Sequence, residues 1–239
     1  MPSKTVTPEE WRAARVDLLA KEKEHTRMSD ELAKQRANLP VVELGKNYQF
    51  AGPEGPVTLA DMFKGRSQLA VYHFMFDPSW DSPCKSCSFV VENMPKREEH
   101  LNSRDTTLAF VSRAPIEKLS AAKERMGWDI DWYSSHGSDF NYDFHVTLDQ
   151  EKAPVEFNYR DVAELKAKGM NSGIRGEVHG FSVFVKEGGV VYHTYSCYGR
   201  GVDHLLPTFG LLDMTPAGRQ DKTKGSGGRG LGFLYHDEY

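Results

Sequence analysis

Hydrophobic positions along this chain fall into short, nearly unbroken apolar runs separated by stretches with helical spacing. The run "QLAVYHFMF" (residues 68–76) is almost continuously apolar and rich in aromatics. That is the pattern of a strand buried on both faces, and it predicts a central strand. After it, "CSFVVENMPKREEHLNSRD" is helical in character, with Pro95 expected to kink it or end its first segment. "TTLAFVSRAP" reads as a second short apolar strand, and "APIEKLSAAKERMGW" as a helix with Ile116, Leu119, Ala122 and Met126 on one face. The order strand, helix, strand, helix predicts a parallel β-α-β core with right-handed crossovers.

Toward the N-terminus, Thr7 is placed to cap a helix, with Pro8 at its first position and acids in its first turn. Trp11, Ala14, Val16, Leu18, Leu19 and Leu32 are sparse among charges, which predicts a surface arm of two helices broken near Thr26–Ser29. "VVEL" and "YQFAGPEGPVTLADMFKG" read as short strands with a Gly/Pro turn, followed by a helical turn around Leu59–Phe63. The aperiodic stretch from Trp128 to Phe157 is expected to be a loop inserted over the core, and "DVAELKAKGMNSG" a short helix with a glycine exit. "GFSVFVKEGGVVYHTYSCYGRG" predicts an antiparallel hairpin turning at Lys186–Gly189, and "GVDHLLPTFGLLDMTP" a last helix over the sheet. The tail begins as a Gly-rich, charged, flexible linker and ends in Phe233, Leu234 and Tyr235, which are expected to dock. The division that follows is an N-terminal helical extension (1–40), an α/β domain (41–215) with a central mixed sheet flanked by helices, and a C-terminal tail (216–239).

Composition narrows the function classes. With 39% hydrophobic and 27% charged residues, the 239-residue chain is globular rather than disordered. A formal net charge of −4, without a basic run, excludes tracking of a nucleic-acid backbone. No stretch has the roughly 18 consecutive apolar residues of a membrane span, and the N-terminus lacks a signal-peptide core, so the expectation is a soluble cytoplasmic protein. Three cysteines are too few, and unpaired, for a disulfide-stabilised secreted scaffold.

In a reducing compartment the pair Cys84 and Cys87, spaced Cys-x-x-Cys, calls for a chemical explanation. A strand that ends in a loop and restarts as a helix puts Cys84 at a helix N-terminus, where unpaired amides and the macrodipole favour an anion. The thiolate is the attacking species, and Lys85 is an adjacent cation that would lower its pKa further. Cys87 lies one helical turn on, within reach to resolve a mixed disulfide at Cys84. This reading needs no cofactor. The rival is a zinc site of Cys84, Cys87, His193 and Cys197, since residues four apart in a strand point to one side.

The β-α-β order with Cys-x-x-Cys at the strand–helix junction resembles the thioredoxin fold. More specifically, "YHFMF", Trp80 ahead of "CKSCS", "VYHTYSCYGRG" and "LLDMTPAGR" are similar to the bacterial thioredoxin-like family DUF899, described as predicted dithiol-disulfide oxidoreductases. The resemblance covers nearly the whole chain and implies Cys84 as nucleophile and Cys87 as resolving thiol. Two departures from ordinary thioredoxins stand out. Trp80 is separated from Cys84 by Asp81, Ser82 and Pro83, and "EVHGFSVFV" carries His179, Gly180 and Phe181 where thioredoxins carry a cis-proline. His179 is thereby a candidate proton acceptor for Cys84 or a metal ligand, and Arg200 a candidate to favour the thiolate, with a structural ion pair as its commoner role. Tyr192, His193, Tyr195 and Tyr198 could line a pocket or simply pack; His73 and Cys197 are read as core residues. "VSRAPIEKLSAAKERMGW" is similar to the strand and helix after a peroxiredoxin active site, but the peroxiredoxin Thr-x-x-Cys is missing. The substrates implied are a disulfide or a peroxide, with a separate reducing partner. A metal-binding or redox-sensing protein without turnover is the alternative, and the extensions suggest a homodimer contact.

Overall fold

The computed structural model describes residues 4–169, 174–220 and 232–239. At its start the Thr7 hydroxyl accepts from the Glu10 amide at 3.2 Å while the Glu10 carboxylate accepts from the Thr7 amide at 2.9 Å, a capping box ahead of Pro8. Helix α1 (Pro8–Ala37) then runs unbroken for 30 residues, where a break near Thr26 was expected. Thr26 stays helical by donating its hydroxyl to the Glu22 carbonyl at 3.0 Å, and no Gly or Pro interrupts the run. None of its residues is buried.

Next come β1 (Val42–Glu43), the hairpin of β2 (Gln49–Gly52) and β3 (Gly55–Thr58), and a 3₁₀ turn at Asp61–Phe63. The apolar run forms β4 (Gln68–His73), with five of its six residues buried. A loop leads into α2 (Lys85–Asn93), which ends at an extended Met94 just before Pro95. Then follow α3 (Glu99–Asn102), β5 (Thr106–Ser112), α4 (Ile116–Met126) and β6 (Trp132–Ser134). The stretch expected to be an inserted loop is instead part of the core. It contains β6, α5 (Phe140–Asp143), β7 (Thr147–Leu148) and β8 (Glu156–Phe157), and buries Trp132, Tyr133, Phe140, Phe144 and Val146. Elements of two to four residues are too short to show a period, so their burial is invisible in the pattern.

The chain continues through β9 (Arg160–Asp161), α6 (Val162–Ala167), β10 (Gly176–Glu177), β11 (Gly180–Glu187) and β12 (Val190–Tyr198). Pro207 divides the expected last helix into a 3₁₀ turn (Gly199–Leu205) and α7 (Pro207–Asp213), because proline has no amide to continue a helix but suits a first position. The Gly-rich part of the tail, residues 221–231, lies outside the described residues. Of the three residues expected to dock, Phe233 packs against the core cluster that contains α2 and Tyr235 is buried, whereas Leu234 between them points to solvent.

Among the described residues the main sheet has the order β1-β12-β11-β4-β5-β6-β2-β3. β4, β5 and β6 are parallel, while β11 is antiparallel to both β4 and β12. A parallel β-α-β centre followed by a hairpin, with helices packed on the sheet, makes this a thioredoxin-like α/β fold. One face packs Tyr72, Phe110 and Trp132 against Cys87, Val90 and Val91 of α2 and Leu119 of α4. The other packs Leu69, Val71, Val111 and Phe184 against Phe140 and Phe144. No helix of the described residues is long and apolar enough to cross a membrane.

Gly180 opens β11 beside the ring of Tyr198, whose hydroxyl is anchored to the Phe144 carbonyl at 3.0 Å. A Cβ at Gly180 would lie 2.8 Å from Tyr198 Cδ1 and 3.2 Å from Val146 Cγ1. Gly180→Ala is expected to destabilise the protein by about 1–3 kcal/mol, the usual cost of overpacking. A urea midpoint equal to that of the wild type would contradict this close approach.

Candidate active site

The dithiol sits where β4 gives way to α2. The backbone amide of Cys84 donates to the Met75 carbonyl at 3.1 Å, which folds the intervening loop back on the end of the strand. Cys84 has extended backbone (φ −61°, ψ 124°) and is the N-cap of α2. Its carbonyl accepts from the Ser88 amide at 2.9 Å and the Ser88 hydroxyl at 3.1 Å. Both thiols are free; Cys84 is half-buried, whereas Cys87 is 1% exposed.

These two positions separate the acidities of the thiols. The Cys87 thiol hydrogen-bonds to Cys84, and the backbone amides of Cys87 and Ser86 and the Ser86 hydroxyl add to it. Together they outweigh burial and pull the Cys84 pKa down to about 6. Burial, joined by the neighbouring Cys84, pushes Cys87 well above the ordinary thiol value. Tyr72, from β4, donates its hydroxyl to Cys87 Sγ at 3.3 Å, and the Met75 amide approaches the same sulfur at 3.5 Å. The arrangement favours a thiolate at Cys84 and a thiol at Cys87.

The supporting residues named from the sequence have different fates. Lys85 pairs with Glu238 at 2.5 Å and stands 4.9 Å from the centre of the Tyr235 ring. The stabilisation expected of its charge comes instead from Cys87 and the first-turn amides. Trp80 packs on the same core as the dithiol, and its carbonyl accepts from Lys118 Nζ at 2.7 Å. His179 has its Nε2 at the Gly199 carbonyl, 3.1 Å away, and burial lowers its pKa, so that ring nitrogen is engaged in joining two loops. Arg200 pairs with Asp203 at 3.0 Å with its side chain 87% exposed, which is the structural role and not thiolate support. Arg219 forks onto Asp213 at 2.8 and 2.6 Å.

The zinc set does not assemble. His193 lies on the sheet face opposite Cys87, against Phe144 and Phe184, with its Nε2 at Ser196 Oγ, 2.8 Å away. Cys197 shares the dithiol's face but stands in the cross-strand row Tyr72, Phe181, Cys197, with Phe181 in between. Four residues distributed over two faces cannot meet at one tetrahedral centre. Among the described residues no three His, Cys, Asp or Glu side chains form a metal-binding group. His73 is a core residue, as read: its Nε2 meets Ser182 Oγ at 2.7 Å, and burial lowers its pKa to about 3.

Three residues that carry the site were not singled out from the sequence. Tyr72 belongs to an apolar run in which any one aromatic looks like packing. Arg113, directly after β5, joins Asp77 of the loop before the dithiol (2.5 Å) to Glu177 just ahead of His179 (2.7 Å). Its signal was available: a charge immediately after a buried parallel strand lies at the end of the sheet where open α/β folds bind ligands. Glu177 is nearly inaccessible, and burial raises its pKa despite Arg113 and the Thr147 hydroxyl.

Residues 1–239 match the family described as "Bacterial protein of unknown function (DUF899)". The chain belongs to the DUF899 family. No curated protein matches it. Among solved structures this DUF899 chain is similar to a cysteine mutant of PrxQ from Xylella fastidiosa, at 11% identity and a TM-score of 0.46, over 73% of this chain and 97% of that one. It is also similar to the bacterioferritin comigratory protein of Xanthomonas campestris, at 12% identity and a TM-score of 0.41, over 73% and 98%. A third is a putative thiol:disulfide interchange protein DsbE from Chlorobium tepidum, at 11% and 0.37, over 70% and 96%.

Since only the thiolate is alkylated, the rate at Cys84 should rise through a midpoint near pH 6 and level off above it, while Cys87 stays slow to well above neutrality. A midpoint at the ordinary thiol value would remove the proposed stabilisation; the readout is iodoacetamide labelling followed by peptide mass. Tyr72→Phe removes one donor from Cys87, worth about 1 kcal/mol. Closure of the internal disulfide from a mixed disulfide should then slow roughly fivefold, with labelling of Cys84 unchanged.

Proposed function

We propose that this DUF899 protein is a dithiol-disulfide oxidoreductase in which Cys84 is the nucleophile and Cys87 the resolving thiol. The carrying observation is the asymmetry of the pair: a half-exposed Cys84 with its pKa drawn down to about 6 beside a buried, protonated Cys87 one helical turn away.

The Cys84 thiolate attacks one sulfur of a substrate disulfide, forming a mixed disulfide and expelling the other half as a thiolate. Cys87 then gives its proton to solvent or to the departing group and attacks Cys84 Sγ. The second half of the substrate leaves, and the bond between Cys84 and Cys87 closes. The substrate gains two electrons and the protein dithiol loses two. A separate dithiol reductant resets the enzyme. Burial suits Cys87 to this role, because a resolving thiol must not react with solvent oxidants before the mixed disulfide forms. A peroxide is the competing electrophile for the same thiolate: it would oxidise Cys84 to a sulfenic acid, which Cys87 would condense to the same internal disulfide.

Turnover of a model disulfide with dithiothreitol as reductant should be abolished in Cys84→Ser. Cys87→Ser should instead accumulate a mixed disulfide at Cys84, visible by intact mass. Normal turnover in Cys84→Ser would overturn the assignment, and turnover confined to hydrogen peroxide would transfer it to peroxide reduction.

A further inference from the structure

The last eight residues of the chain are seated on the helix that carries the dithiol. Phe233 stacks on Phe89 of α2 with ring centroids 3.9 Å apart and planes 5° from parallel. Tyr235 is 5% exposed, and its hydroxyl donates to the carbonyl of Pro83, the residue before Cys84. Lys85, the residue after Cys84, faces the same ring and pairs with Glu238 at 2.5 Å. Arg125 of α4 also stands 4.8 Å from the ring centre and forks onto both oxygens of Asp237, each at 3.0 Å. His236 meets Glu92 of α2 at 2.5 Å. Both chain neighbours of the nucleophile are therefore held by one short segment.

The forces are graded. The exposed ion pairs contribute little individually. The aromatic stack and the two cations near the Tyr235 ring supply directional attraction in partly desolvated positions, and the ion pairs select the register in which the segment lies. Burial raises the pKa of the Tyr235 phenol, Arg125 works against that shift, and the Cys84 charge adds a smaller upward push. Tyr235 is thus fixed at both chain neighbours of the reactive cysteine, the Pro83 carbonyl and Lys85.

A folded protein offering a disulfide brings bulk up to the thiolate along with its sulfur. On this chain the segment from Phe233 to Glu238 already occupies α2 and both neighbours of Cys84. A low-molecular-weight disulfide needs only an opening to Cys84 Sγ, and Cys84 is half-buried, not sealed.

We propose that residues 232–239 form a built-in wall of the dithiol site, with Tyr235 as its specificity-determining residue, so that small disulfides are accepted and protein disulfides rejected. The substrate class rests on the oxidoreductase reading above; the wall does not.

The test uses the full-length reduced chain as wild type, Tyr235→Ala, and the milder double variant Asp237→Asn/Glu238→Gln, which leaves the aromatic packing in place. Labelling of Cys84 is followed by peptide mass with iodoacetamide as small probe and a maleimide on a long polyethylene glycol chain as bulky one. In Tyr235→Ala the bulky rate should rise roughly tenfold relative to the small-probe rate, equivalent to about 1.4 kcal/mol of relieved exclusion. The double variant, and wild type at high salt, should move the same way by a smaller factor. Tyr235→Ala should also gain reduction of insulin relative to reduction of glutathione disulfide. An unchanged ratio in both variants, or equal changes for both probes, overturns the wall. If the wild type turns over no disulfide of any size, the oxidoreductase reading fails while the labelling ratio still decides the wall.

Discussion

Cys87 lies almost wholly out of solvent beneath β4, where a thiolate would have no water to stabilise it. It therefore keeps its proton, and a protonated thiol is a donor. One helical turn away, Cys84 receives that donor together with the unpaired amides of the first turn of α2. The hydrogen bond between the two thiols is thus the main cause of the low pKa of Cys84 and adds to the burial that raises the pKa of Cys87. Were Cys87 at the surface, the two thiols would titrate more alike.

The rest of the domain maintains that burial. β4 is covered by helices and aromatic residues on both faces, and Tyr72 reaches from it to hold the Cys87 sulfur. Opposite the dithiol, His73, Ser182, Ser196 and His193 form a chain of hydrogen bonds of 2.7, 2.7 and 2.8 Å that joins β4, β11 and β12. At the end of the sheet Arg113 draws the loop before the dithiol and the strand before His179 onto one guanidinium. A buried carboxylate such as Glu177 is tolerated only with its partner in place, so this corner is held in a single arrangement.

No cis peptide occurs among the described residues, and His179 stands at the entry to β11 with its ring bound to the Gly199 carbonyl. His179 is thereby held to the loop that follows β12, while the C-terminal Phe233 and Tyr235 pack on Phe89 of α2 and on the Pro83 carbonyl.

How far the sequence reaches depends on the range of the forces involved. It determined the β-α-β core, the hairpin, the capped start of α1, and the Cys84–Cys87 pair at a helix N-terminus, because each is written in local periodicity or in a few adjacent residues. It did not reveal that β6 and α5 belong to the core, since elements of three or four residues carry no period of their own. Nor could it say that Lys85 would choose Glu238, 153 positions away, over the adjacent thiolate, or that His193 and Cys87 would lie on opposite faces of the sheet. Those outcomes are side-chain partnerships between distant segments, set by which face of the sheet each strand presents, and only the assembled fold decides them.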